Sequence, residues 1–400
     1  MMEKVGKYIT NYIKGKTPKV LLSYEETDSL PYLSPDYLRG VSAPEFYAKQ
    51  DKKSIVIDDG EVVVLWDGSN AGEILISKKG ILASTMTMLQ FDEKQIDKTY
   101  FGYSFQNLEY ILKAKTAGSG IPHADKGVIN KLEFYKPTLP EQSAISAILS
   151  KVDEAIVAVQ NSIAAAERLK KSLMQNLLTG RMKPDGTLRK DDEFYTDEKF
   201  GKVPKGWEVK KLKDIASIQR GKFGHRPRND ERFYNGKYPF VQTSDVVESK
   251  FYLKEASQTL NDMGVAVSKC FPPNTIIITI AANIGYVALT QYEVYFPDSL
   301  IGINANEDYI LPPFLLFQLM QYKNILEAQA TESAQKNINY SNLRPLHIVF
   351  PNDKTEQKNI IKRINSVFLK IEQKQQKIDA LERLKKSLMQ NLLTGRVRVK

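Results

Sequence analysis

The stretch ERLKKSLMQNLLTGR stands at residues 167–181 and again, letter for letter, at residues 382–396. The offset is 215 residues (382 − 167), and Glu141-Gln142 returns as Glu356-Gln357 at the same offset. The copies therefore align without insertion from the Glu-Gln pair to the arginine. Whatever this chain folds into must use one element twice.

That element reads as a long helix. Ile145, Leu149, Val152, Ile156, Val159 and Ile163 step by four and three residues, and Leu169, Leu173 and Leu177 continue the apolar series. In the second copy Ile360, Ile364, Val367, Ile371, Ile378, Leu381, Leu384, Leu388 and Leu392 repeat it, with Lys374 interrupting once. This is the stripe of a coiled-coil seam, not the alternation of a strand. Neither segment contains proline, and Gly180 and Gly395 stand where a helix stops. At 1.5 Å per residue each helix is roughly 55–60 Å long. A narrow apolar stripe needs a partner, and the nearest available one is the other copy.

Removing the repeats leaves two pieces of similar size. The expected organisation is a first domain over residues 1–140, a helix over 141–182, a polar connector over 183–206, a second domain over 207–355 and a helix over 356–400. Both domains carry the same order of features: a short apolar stretch closing on a basic glycine turn (residues 7–18 and 214–227), a Pro-aromatic turn (30–38 and 238–246), then an apolar run with a glycine turn. β-Branched runs dominate. The expected fold class is α+β: two strand-rich domains and two long antiparallel helices packed as a coiled coil, with a pseudo-two-fold internal repeat.

Lys and Arg number 57 against 47 for Asp and Glu, a net charge of +10, which favours a polyanionic partner. The single cysteine, Cys270, excludes an internal disulfide and a Cys-based zinc site, and His123, His225 and His347 are too scattered to suggest a metal site. No signal-peptide pattern opens the chain, and the apolar run from Thr275 is too short to span a bilayer. A soluble, cytoplasmic protein without membrane association is expected.

The pattern resembles the specificity subunit of type I restriction-modification enzymes. The likeness is carried by GWEVKKLKDIASI at 206–218, TIAANIGYVAL at 279–289, WDGSNAGEILIS at 66–77, GILAST at 80–85 and, above all, the two repeat helices. It covers nearly the whole chain. One departure is that the first domain lacks the Gly-Trp start that the second has at Gly206-Trp207. The resemblance implies a non-catalytic subunit that binds double-stranded DNA through two target-recognition domains. It implies two adenine methyltransferase subunits and a translocase-nuclease subunit as partners. S-adenosylmethionine and ATP would belong to those partners, and this chain would hold no cofactor.

Two unlike domains on duplicated helices suit an asymmetric, bipartite target whose unread gap depends on helix length. Loops would supply the contacts, with Lys and Arg on phosphates and Asn, Gln, Arg, Ser and Thr on base edges. The candidates in the first domain are Lys14, Lys16, Thr17, Ser69, Asn70, Ser84, Thr85, Ser119 and His123. Those in the second are Arg220, Lys222, His225, Arg226, Arg228, Gln242, Thr243, Ser244, Asn283, Gln335, Lys336 and Asn337. For any single one of them the plainer alternative is a solvated turn residue or a backbone-capping polar group. Trp66 and Trp207 are expected as core anchors.

Two other classes compete. A DNA-modifying enzyme would need an Asn/Asp-Pro-Pro-aromatic motif, but Leu311 precedes Pro312-Pro313-Phe314 and has no side-chain acceptor for an adenine amino group. The turn at residues 13–17 mimics the end of a phosphate-binding loop, but Thr10 stands at its first glycine. Asp185, Asp197 and Glu198 could hold a nuclease metal only on a scaffold that the polar connector does not offer. A coiled-coil scaffold protein would explain the helices and leave the basic domains unexplained.

Overall fold

A computed structural model describes residues 1–116, 122–281, 283–331 and 337–399. The chain forms two compact units, Met1–Ser162 with Lys374–Lys400, and Ile163–Gln373.

In the first unit the buried run Val62–Leu65 lies inside an antiparallel sheet ordered Ile9–Lys14, Met86–Phe91, Val62–Leu65, Ile74–Ile76. A second sheet runs Tyr47–Lys49, Ser29–Leu33, Gly80–Leu82, Val56–Ile57, with its central pair parallel. Helices Lys98–Gln106, Glu109–Thr116 and Lys126–Lys131 follow.

The second unit repeats this plan. One sheet is ordered Ala216–Arg220, Leu300–Ala305, Ile276–Thr279, Val287–Thr290, with Tyr252–Leu253 added at the edge. The other runs Gln258–Leu260, Tyr234–Phe240, Val294–Tyr295, Cys270–Phe271, again with a parallel central pair. The missing Gly-Trp start is replaced without loss of topology. Strand Met2–Lys4 pairs with Glu133–Tyr135 as Trp207–Lys211 pairs with His347–Pro351. Trp207 is a buried anchor, whereas Trp66 is half-buried at the edge of its core.

The repeat helices are Leu139–Leu178 and Lys354–Leu392. Each contributes its first part to one unit and its last part to the other. Within the first unit Asp153 pairs with Lys385 (2.7 Å), and Lys374 donates to the Ser162 carbonyl (3.4 Å). Within the second, the Lys170 ammonium lies 5.0 Å from the centre of the Phe368 ring. In the first unit residue numbers fall on one helix as they rise on the other, so the packing there is antiparallel.

Ile145, Leu149, Leu173, Leu177, Ile360, Ile364, Val367, Ile371, Ile378 and Leu392 are buried, and Val152, Ile156, Ile163 and Leu388 are half-buried. Leu169 and Leu384 correct the sequence reading, since both face solvent at about half exposure (52% and 48%). The heptad steps of three and four lead from Ile163 through Ala166 and Lys170 to Leu173. In the second copy they lead from Ile378 through Leu381 and Lys385 to Leu388. The seam therefore runs past small and basic side chains while the neighbouring leucines point outward.

The repeated motifs have identifiable structural work. Gly180 and Gly395 take φ of +70° and +72°, the left-handed turn that ends a helix. A Cβ on Gly180 would meet Pro204 at 2.3 Å, and one on Gly395 would meet Tyr135 at 2.7 Å. Gln142 accepts from Asp97 N–H (2.8 Å) and donates to the Gln95 and Pro137 carbonyls. Gln357 does the same with Leu311, Tyr309 and Pro351. Glu141 receives two bonds from Arg398, both 2.7 Å, and Glu356 pairs with Arg189. The Glu-Gln pair thus ties each domain's loops to its own helix and to the end of the other repeat.

Candidate nucleic-acid interface

In each unit the basic glycine turn leaves the first strand of the first sheet and lies on the loop that precedes the strand's neighbour. In the first unit Gly15 N–H donates to Met86 O (2.9 Å) and Lys16 N–H to Leu82 O (3.1 Å). In the second, Gly221 N–H donates to Leu300 O and Lys222 N–H to Phe296 O, both 3.0 Å. A Cβ on Gly15 would stand 2.1 Å from the Ala83 carbonyl oxygen, and one on Gly221 2.3 Å from that of Pro297. Glycine is needed here for close backbone approach. By this register Lys14 corresponds to Arg220, Lys16 to Lys222 and Ser84 to Asp298.

The first turn gathers most of its candidates. Lys14 pairs with Asp67 (3.1 Å), and His123 Nδ1 lies 2.6 Å from the same carboxylate. Burial pushes the Asp67 carboxyl up, but the hydrogen bonds from His123 and Lys14 prevail and hold it below the usual carboxylate range. Thr17 donates to Ser84 Oγ (3.0 Å), and Trp66 and Asp67 N–H both donate to the Thr85 carbonyl. Ser69 and Asn70 are exposed in the adjoining turn, as are Lys14, Lys16, Thr17, Thr85 and His123. Ser119 lies outside the described residues.

The second turn carries more charge. Asp298 pairs with Arg228 and, at 3.4 Å, with Arg226, while its carbonyl accepts from Arg220 Nε (2.5 Å). One carboxylate thus faces two guanidinium groups and the same residue's carbonyl holds a third, and Lys222 is exposed beside them. Asn337 bridges Ala281 as His123 bridges Asp67, and Asn283 is exposed in the turn corresponding to that of Ser69 and Asn70. Gln335 and Lys336 lie outside the described residues. His225 has a local role: it stacks on Phe233 with ring centres 4.2 Å apart and reaches Asp230 at 3.0 Å. Hydrogen bonds from Arg232 hold that carboxyl well below the usual range. Thr243 and Ser244 open the helix Thr243–Glu248, and Gln242 precedes them beside a cleft of about 500 Å³.

Asp67, Asp298 and Tyr340, whose hydroxyl meets Arg220 N–H, contact these turns and are not among the sequence candidates, which comprise cations, amides, histidines and small hydroxyls. Aligning the two pieces beyond the glycine turn would have found Asp298, because Phe296-Pro297-Asp298-Ser299 stands where Leu82-Ala83-Ser84-Thr85 does. Two of the competing motifs have structural partners, and the third, at residues 13–17, is the first glycine turn itself. Pro312-Pro313-Phe314 opens a buried helix, Pro312–Gln321. Asp185 and Asp197 accept from backbone N–H groups two residues on, at 2.8 and 2.9 Å. Among the described residues no group of three or more His, Cys, Asp or Glu could hold a metal ion. Among them, too, no helix is long and apolar enough to cross a membrane.

The family described as "Type I restriction modification DNA specificity domain" matches residues 7–168 and 204–383, once over each repeat. This chain belongs to the type I restriction-modification DNA specificity family. A specificity subunit of this family from Methanocaldococcus jannaschii, that of the type I restriction enzyme MjaVIII, is 32% identical over 99% of this chain and 92% of its own length. The MjaIX specificity subunit of the same organism is 24% identical over 99% and 89%. Among solved structures, the type I restriction-modification S subunit from M. genitalium covers 98% of this chain and 96% of its own, with a TM-score of 0.62 at 14% identity. It shares the fold of this specificity-family chain.

Proposed function

We propose that this chain is the non-catalytic, sequence-reading subunit of a type I restriction-modification enzyme, working in the cytoplasm on double-stranded DNA. Each unit reads one half of an asymmetric, bipartite target, and the length of the repeat helices sets the unread gap. The chain recruits two adenine methyltransferase subunits and a translocase-nuclease subunit, which bring S-adenosylmethionine and ATP. The observation that carries this reading is the glycine turn built twice on one framework with unlike side chains. It bears Lys14, Lys16 and Ser84 in one unit and Arg220, Lys222 and Asp298 in the other. Cations at equivalent places suit a shared phosphate backbone, while different polar neighbours suit different bases.

The test is to map methylated adenines in DNA exposed to the assembled methyltransferase complex. Two unlike half-sites with a constant gap are expected. Methylation without a sequence pattern would defeat the reading. Binding by the complex should also weaken steeply with added salt, through counterion release, and keep a sequence-dependent part.

A further inference from the structure

At the edge of the second unit's parallel-centred sheet, Gln242 Nε2 donates to Gln258 Oε1 at 2.9 Å. The Asp245 carboxylate fixes both segments, accepting from Gln242 N–H (2.8 Å) and Ser257 N–H (3.2 Å). The pair borders the 500 Å³ cleft together with Arg228, Asn229, Tyr234 and Pro297. Arg228 also belongs to the cationic turn, so the amides and the arginines share one surface. Gln258 is exposed, and no core packing accounts for it.

The first unit shows that the fold does not require this pair. Pro31 faces Tyr47 there as Pro239 faces Thr259 here. By that register Phe46 stands where Gln258 does and Ser34 where Gln242 does. Ser34 merely caps its short helix by accepting from Tyr37 N–H. The sheet is the same, so the amides are an addition confined to one unit.

Once tied to Gln242, the Gln258 amide keeps an acceptor lone pair on Oε1 and two N–H donors on Nε2. A donor beside an acceptor in one plane complements adenine in the major groove, where N7 accepts and N6 donates. Guanine offers two acceptors there and would set O6 against Oε1. We propose that Gln258, positioned by Gln242, selects an adenine at one position of the half-site read by the second unit, while Arg226 and Arg228 hold adjacent phosphates. This rests on the DNA-reading function above and assigns one of its base contacts.

The experiment maps methylated adenines produced by the assembled complex carrying wild-type chain, Gln258→Ala or Gln258→Glu. In the wild type one position of one half-site should be adenine. Gln258→Ala should relax that position alone, lowering its discrimination by about 5- to 150-fold. Gln258→Glu, which only accepts, should move the preference toward cytosine, whose N4 donates. If Gln258→Ala fails to assemble, the glutamate variant of equal size carries the test. If both variants keep the wild-type pattern at every position, the assignment is wrong while the DNA-reading function stands. A wild type with no pattern removes both.

Discussion

Two glycines mark the turns on which DNA reading is proposed to depend. Because the Gly221 position opens onto the Pro297 carbonyl oxygen, Gly221→Ala has to push the turn off its loop. We expect a loss of about 1–3 kcal/mol in denaturant melts and weaker DNA binding by the assembled complex. A variant that melts and binds like the wild type would show that the turn has room to spare. A carboxylate gives a pH signature. The paired N–H groups of Arg398 hold the Glu141 carboxyl below its ordinary value, against a smaller upward push from burial. A depressed carboxyl stabilises the fold above its unfolded pKa of about 4.3, and that stability is lost as pH falls through the folded value. Glu141→Gln should therefore lie below the wild type in melting temperature at pH 7 and approach it as the pH drops below about 4. Parallel curves across that range would show that Arg398 contributes nothing through charge. Neither residue's role was visible in the sequence beyond the repeated letters, since Arg398 lies after the repeat and its partner 257 residues earlier.

The repeat helices separate what letters can say from what packing decides. A stripe of apolar residues was legible because helical spacing shows in the sequence, and so were the stop glycines. The choice of leucine was not. Counting apolar letters picks Leu169 and Leu384, whereas strict heptad spacing picks Ala166, Lys170, Lys374 and Lys385. The lysines lie on the seam because their long stems reach across it and end on Ser162, Asp153 or an aromatic face. Two substitutions on one helix separate the alternatives. Leu177→Ala, at a fully buried site, should cost about 2–5 kcal/mol. Leu169→Ala should change stability by no more than about 0.5 kcal/mol. Both are read by chemical denaturation, and equal losses would mean that the exposed leucine packs after all.

At the scale of the molecule the duplicated plan was legible down to the order of turns, while strand pairing was not. The parallel centre of each second sheet joins segments about fifty residues apart, such as Leu33 with Leu82, and no periodicity reports that. The candidate base contacts were legible only as residue types, because polar loop residues look alike until a register places them side by side: Gln242 was among the candidates, and Gln258, its hydrogen-bond partner, was not. Replacing residues 200–355 by the corresponding part of another specificity-family chain should change one half of the methylated sequence and preserve the other. Alteration of both halves would rule out independent reading.

The first compact unit is closed by chain that is made after the whole of the second. Residues 1–162 leave the ribosome early, yet Leu388, Leu392 and Leu393 complete their core. Residues 163–373 hold all the parts of the second unit and are synthesised before that closing segment. The nascent chain therefore finishes its second unit first. Until the final segment emerges, the earlier one presents an unfilled apolar slot to chaperones and proteases.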